Sequence, residues 1–556
     1  MAEKDKGRIG DRWREMATLG HDSREFDAYL TGTPKTNHPM TGEGAAWVAG
    51  HEGVRGVVVR VTCTIARSTA PTVSVPCMGD GDAKELAVRL RHAIRSTEGL
   101  SWPEGDVTLG VEGPPLTPSY VSDLGFAIAL LRASGQVDSA SPAWKDVAFA
   151  AGLSLGGYLE PVRGAYPAAE AVADFNMSGL VVAAATYNGE PGVAADAVDG
   201  ARGRIRVFAE SNLDELIASM HGLQDAVPWT RTPAREPDVY SELDDVKGRD
   251  ALKGAMVLAL AGDHPLVMVG DYGTVALARR APSLLPPLTD SETWEIRRVA
   301  SVAGLTRRQG RPFRAPHHTI SVDALTGNSR GRVLPGEVTL AHHGVLFLDD
   351  VHLFKRAAVS ALRTVLDAGT SARDMPAGDV CLIATATPYR PSPGQDLSQA
   401  AAEAHLSPIR AQLDELFPRG GVIAVDDGID ATHPLLGELE TLGLTGHDTA
   451  SAQRLVVKLR GLAVARRGRT NGRVPIEVLR DAKWCHAKVL RTFSETSGLG
   501  DSDLESILRV ARTVADLRGD KCVALRHLRA ASTLAVSRST WRHIMEYAWR
   551  SLLPTG

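Results

Sequence analysis

Val345-Leu346-Phe347-Leu348-Asp349-Asp350 sets four apolar residues directly before two carboxylates. Such a run reads as a strand buried on both faces of a parallel sheet, its C-terminal end placed to hold a metal or polarise a water. Upstream, a second run, Leu266-Val267-Met268-Val269, leads into Gly270-Asp271-Tyr272-Gly273-Thr274 and then a helical pattern. Strand, glycine turn, helix and a later strand ending in acids is the build order of a P-loop nucleotide domain. The frame is present, but its phosphate-gripping lysine is not.

The 556 residues, 44% of them hydrophobic, suffice for about three or four domains with real cores. A net charge of -4 exerts no global pull on nucleic acid. Cys63, Cys77, Cys381, Cys485 and Cys522 are scattered without a C-x-x-C pair, so neither a disulfide framework nor a zinc site is suggested. The mixed charges of Met1-Ala2-Glu3-Lys4-Asp5-Lys6 do not resemble a signal peptide, and no run is apolar enough for a membrane span. A cytoplasmic protein with no membrane partner is the expectation.

In chain order, residues 1–45 read as a loosely ordered polar extension, with a short helix at Asp11 to Met16. Residues 46–227 mix strands (Val57–Val61, Asp106–Val111, Gly179–Ala185) with helices (Ala83–Ile94, Leu124–Ala133, Ala168–Ala173), an α/β pattern. Three prolines between Pro228 and Pro237 mark a linker, taken as 228–240. Residues 241–435 form the nucleotide-domain frame, with helices expected at Asp250–Leu260, Ala276–Leu284, Ser291–Ala300 and Arg356–Leu366. Residues 436–556 close the chain as a smaller all-α domain, purely helical in period from about Ser451.

Two runs are distinctive: Arg311-Pro312-Phe313-Arg314-Ala315-Pro316-His317-His318-Thr319, and Pro335-Gly336-Glu337-Val338-Thr339-Leu340-Ala341-His342-His343-Gly344 leading into the acidic strand. With Ala278–Leu288, Ser301–Leu305 and Ile507–Leu517, they make the chain resemble the magnesium-chelatase-like AAA+ ATPases of the ComM (YifB) type from about residue 55 onward. The resemblance implies an N-terminal domain of the ribosomal-S5/Lon-protease type, a P-loop AAA+ core and a C-terminal helical lid. It also implies ring-forming motors, with ComM itself moving branched DNA.

A working phosphate loop needs backbone N–H groups around the phosphates, a Lys on the β/γ oxygens and a Ser/Thr on magnesium. The family's loop is G-P-P-G-T-G-K-T; here Gly270, Gly273 and Thr274 pass directly to Val275, two residues short and without the lysine. No lysine occurs between Lys253 and Lys355, and Asp271 adds a like charge. Asp349 and Asp350 stand where the resemblance puts the magnesium-binding Asp and the water-polarising Glu. Asp350 is one methylene short for a base whose geometry must be tight. Thr387 falls on the sensor Asn, Gln412 on the arginine finger and Ser502 on the lid arginine. Arg410, two residues from Gln412, belongs to another helix face. The cations that stabilise a transferring phosphoryl are therefore missing.

The expected function is a ComM-like pseudo-ATPase: a scaffold or regulatory subunit, forming homo- or hetero-oligomers with itself or an active AAA+ relative, with DNA open as a partner. No cofactor is expected. ATP and magnesium, the latter on Asp349, enter only if the protein is a residually active motor for branched DNA that reaches phosphate through another basic residue. A magnesium-chelatase subunit is the third reading, disfavoured by the fused N-terminal domain. His317-His318 and His342-His343 read better as structural hydrogen-bonding pairs than as metal ligands. The basic run Arg460 to Arg473 suits a nucleic-acid backbone or a solvated helix end equally. Arg330 and Arg332 suit a pore loop or an ordinary charged one. Ser119 and Ser122 read as turn and cap residues, and Trp541, Tyr547 and Trp549 as lid packing.

Overall fold

The computed structural model describes residues 41–113, 123–137, 144–184, 193–222, 242–270, 272–305, 310–327, 334–371, 375–377, 379–386, 399–417, 420–425, 434–481, 483–497 and 499–536, with backbone alone at 193, 272, 399–406, 434 and 502. The expectations for Asp11–Met16, Ser119, Ser122, the 228–240 linker, Asp271, Arg330, Arg332, Thr387, Trp541, Tyr547 and Trp549 fall outside these residues. The chain is mixed α/β and divides into two compact units. Among described residues, 41–222 with 297–305 form the first, and 242–296 with 310–536 the second.

The first unit is built on a seven-stranded mixed sheet. Its strands are β1 (Gly42–Glu52), β2 (Arg55–Ala66), β3 (Val73–Ser74), β4 (Asp106–Glu112), β5 (Val147–Ala150), β8 (Gly179–Ala183) and β9 (Arg206–Glu210), in the order β3-β4-β2-β1-β5-β8-β9. Between β5 and β8, β6 (Gly152–Leu153) and β7 (Leu159–Glu160) pair separately. β1 corrects the sequence reading, which left residues 42–45 in a loose extension: it runs antiparallel to β2 in unbroken register, from Gly42 opposite Ile65 to Glu52 opposite Arg55. Its glycines are packing devices. A Cβ on Gly42 would lie 2.0 Å from the Ala133 carbonyl oxygen, and one on Gly44 2.2 Å from that of Ala129. The helix Asp123–Ala133, buried almost all round, can approach the strand only there.

The second unit holds a five-stranded sheet of β10 (Leu266–Val269), β11 (Phe313–Arg314), β12 (Val345–Leu348), β13 (Cys381–Ala386) and β14 (Val422–Val425). The order is β11-β12-β13-β10-β14, and every neighbouring pair is parallel. Because strand side chains alternate, Leu266, Met268, Val345, Phe347, Val422 and Ala424 join one core. Val267, Val269, Leu346, Leu348, Ile423 and Val425 join the opposite one. All residues of β10, β12 and β14 are buried, which is why they lack polar alternation.

The helix Asp250–Gly262 packs on β14 and on the helix Thr449–Arg467. The latter starts where the Asp448 carboxylate accepts the Ser451 N–H (2.7 Å) and stops at Gly468, φ 70°, the usual N-cap and left-handed stop. From Pro434 to Leu534 the described elements are helical, with no strand among them. One boundary differs from expectation near the glycine turn. The helix runs Tyr272–Ala278, breaks at Arg279-Arg280 and restarts as Ala281–Leu284 with Pro282 in its first turn, where proline's missing N–H costs nothing.

Candidate nucleotide site

Parallel strands bring their C-terminal ends to one edge of a sheet, where α/β ligand sites form. Val269 is level with Ala386, and Leu348 with Ala384, so Gly270, Asp349 and the end of β13 share that edge. The Gly270 N–H donates to the Ala386 carbonyl at 3.3 Å. Asp349 is held by a residue the sequence reading passed over: the Thr385 hydroxyl, 1% exposed, donates to Asp349 Oδ1 at 2.7 Å. Thr385 Oγ1 in turn accepts the Asp350 N–H at 2.8 Å. One threonine thus aims the first carboxylate and anchors the second residue, which turns sharply with φ 49° into the 3-10 turn Val351–Leu353. A hydroxyl inside the apolar run Cys381–Ala386 was the available signal.

The glycine turn is tighter than its sequence implies. Only two residues separate Val269 from the helix at Tyr272, so Gly273 and Thr274 are helical instead of wrapping a loop, and Thr274 is 2% exposed. The Arg249 guanidinium packs on Gly273: its Cζ would lie 2.1 Å from a Cβ added there. Arg249 stands just before the helix Asp250–Gly262 with φ 60°. Sequence reasoning that looked for a lysine near the loop missed it. Gly273→Ala is expected to change stability by no more than about 1 kcal/mol, since only a flexible side-chain end must move and alanine favours the helix; denaturant midpoints of both proteins check this.

Of the other positions, Gln412 donates its amide to the carbonyls of His352 (3.3 Å) and Phe354 (2.6 Å), clasping the chain just after Asp350. Arg410 lies 3.7 Å from Asp414 on its own helix. Ser502 is on the helix Asp501–Leu517, its side chain outside the described atoms. The two distinctive runs form one unit: Arg314 makes a two-pronged bond to Glu337 at 2.6 and 2.7 Å. Arg311 donates to the carbonyls of Pro286 (2.7 Å) and His343 (2.6 Å). His317 Nδ1 meets the Thr319 hydroxyl at 2.9 Å, a structural hydrogen bond.

The basic run is mostly internal. Arg460 and Arg473 both pair with Asp263; Arg466 pairs with Asp516 and Arg467 stacks over Trp484 at 4.3 Å. Arg460, Arg466 and Arg473 are thus tied to carboxylates of the same unit, and Arg469 is the member of the run at the surface.

Three family models match the chain: "Subunit ChlI of Mg-chelatase" over 61–186, "Magnesium chelatase, subunit ChlI" over 242–385 and "Magnesium chelatase, subunit ChlI C-terminal" over 446–534. Among curated proteins, the chain is 31% identical over 515 residues to an uncharacterized Mycobacterium tuberculosis protein, covering 86% of this chain and 95% of that one. It is 30% identical over 507 residues to the competence protein ComM of Haemophilus influenzae (86% and 94%). It is 28% identical over 490 residues to YifB of Salmonella typhimurium (84% and 92%).

Proposed function

The chain belongs to the ComM/YifB group of the magnesium-chelatase-like family, and from that premise we propose that it is a non-hydrolysing member acting as a scaffold or regulatory subunit. The observation that carries this reading is the two-residue step from β10 to the helix at Tyr272. A phosphate-wrapping loop needs about six residues between strand and lysine, and its N–H groups, not a helical turn, cradle the anion. Gln412 adds support, since its amide is already spent on two carbonyls of its own chain. In the same reading, residues 46–227 are a ribosomal-S5/Lon-protease-type domain, 241–435 the degenerate AAA+ core and 436–556 the helical lid. Ring-forming surfaces persist without turnover, in homo- or hetero-oligomers that include an active relative. A cytoplasmic setting and a tie to DNA processing belong to the same reading, and one curated relative is named a competence protein; no described helix is long and apolar enough to cross a membrane.

Arg249 favours a second reading. A guanidinium resting on Gly273 is a cation beside the shortened loop, and could grip a phosphate in place of the lysine. The expected result of titrating ATP–magnesium into the protein calorimetrically is no heat of binding at millimolar nucleotide, while sedimentation shows an oligomer. Submillimolar binding lost in both Asp349→Asn and Arg249→Met would establish the second reading. A monomer at all concentrations would sink the scaffold role.

A further inference from the structure

His342 and His343 lie in the turn between the helix Glu337–Leu340 and β12. Glu295 comes from the helix Asp290–Ala303, and all three belong to the second unit. Both imidazole Nε2 atoms converge on one carboxylate oxygen, Glu295 Oε2, at 3.1 Å from His342 and 2.9 Å from His343. The rings lie 3.9 Å apart, tilted by 41°. The sequence reading took this pair as structural; Glu295 is the partner it did not have.

We propose that Glu295, His342 and His343 bind one divalent transition-metal ion of the zinc class. The donor set is two imidazole nitrogens and one carboxylate, which suits zinc, cobalt or nickel and not the all-oxygen preference of magnesium or calcium. Bonds of about 2.0–2.1 Å in a tetrahedral site put neighbouring ligand atoms roughly 3.3 Å apart. The two observed separations are within a few tenths of an ångström of that edge. On binding, each Nε2 would give its lone pair to the ion, and the single proton of each neutral imidazole would sit on Nδ1.

The surroundings hold the ligands in place. His343 is left-handed, φ 59°; its N–H donates to the Asp379 carbonyl at 2.7 Å, and its own carbonyl accepts Arg311 Nη1 at 2.6 Å. The two imidazole side chains are 6% and 9% exposed, so few rotamers are open to them. His343 Nδ1, the nitrogen facing away from Glu295, lies 3.7 Å from Glu292 Oε1. A carboxylate behind a ligating histidine fixes its tautomer and raises its basicity. Glu292 is itself held by the Thr289 N–H at 2.8 Å. A cavity of about 670 Å³ reaches both histidines and Glu292, giving entry to the ion and room for a water as fourth ligand. Arg311 also lines that cavity, but its guanidinium faces Glu292 at 3.5 Å, which offsets its repulsion.

Tag-free full-length protein, stripped with a chelator and dialysed, would be titrated with Zn²⁺ by calorimetry and with Co²⁺ by visible absorption. One equivalent is expected, with the intense d–d bands of tetrahedral cobalt. Glu295→Gln and His342→Gln should weaken zinc by on the order of 100-fold, and Glu292→Gln by about 10-fold. His447→Gln, which alters a histidine elsewhere, should change nothing. If His342→Gln fails to fold, the two glutamine variants on the helix carry the test. No uptake by the parent protein, or uptake that Glu295→Gln leaves intact, would overturn the site and return the three residues to a hydrogen-bonded strut.

Discussion

Asp516→Ala is expected to lose about 3–5 kcal/mol of stability, because it strands a buried guanidinium. Arg512 and Asp516 side chains are both 0% exposed and meet at 2.6 Å. Arg512 Nη2 also donates to the carbonyl of Asp520 (2.6 Å) and Nη1 to that of Lys521 (2.9 Å). Asp516 also accepts Asn471 Nδ2 at 2.9 Å and a bond from Arg466. Burial alone would raise its carboxyl above the usual range, but Arg512, Asn471 and Arg466 together hold it below. Arginine cannot shed its proton to escape the deficit, so the loss falls on folding. Urea midpoints with an unchanged m-value would show it; a shift below about 1 kcal/mol would mean that water reaches Arg512.

The second large effect is at Asp263, which closes the helix Asp250–Gly262 in a left-handed conformation, φ 59°. Its Oδ1 takes Arg460 at 3.0 Å; its Oδ2 takes Arg473 at 2.6 Å and the Thr470 hydroxyl at 2.9 Å. Asp263→Ala loses both a residue tolerant of that conformation and the counter-charge of two arginines, again about 3–5 kcal/mol. Asp263→Asn isolates the charge. Burial pushes the Asp263 carboxyl up, yet Arg460 and Arg473 outweigh it and hold the group far below its ordinary value. As pH falls through the ordinary Asp value of about 3.9, the unfolded chain takes up a proton that the folded chain refuses. Stability therefore rises with pH in that window. The contribution is complete above it and is lost as pH falls toward the folded value. Midpoints measured between about pH 6 and 2 should fall more steeply for the parent protein than for Asp263→Asn. Identical slopes would refute the pairing.

Of the strands in the second unit, β10, β12 and β14 were legible as unbroken apolar runs and β13 as a run interrupted only by Thr385, whereas the two-residue β11 with its Arg314 was not read as a strand. β1 was harder to read. Glycine and alanine are poor strand formers, and the reason for Gly42 and Gly44 is a helix carbonyl about ninety residues away, invisible to any local pattern. Asp349 does directly follow β12, but what supports it was not legible. Thr385, Arg249 and Glu295 become relevant only through tertiary approach. The basic run shows the same limit. Arg460 and Arg473 look solvated until Asp263, some two hundred residues earlier, is seen between them. Periodicity reports which face is apolar; it does not report which charge has found its opposite.

Gln412 carries a consequence for substitution at its own position. Its amide satisfies two carbonyls in the turn that follows Asp350, so arginine at this position would have to abandon that clasp before it could serve a neighbour. Each buried carbonyl left unmet costs about 1–3 kcal/mol. Under the proposed reading, placing arginine here would therefore cost stability before it offered a cation to any neighbouring site.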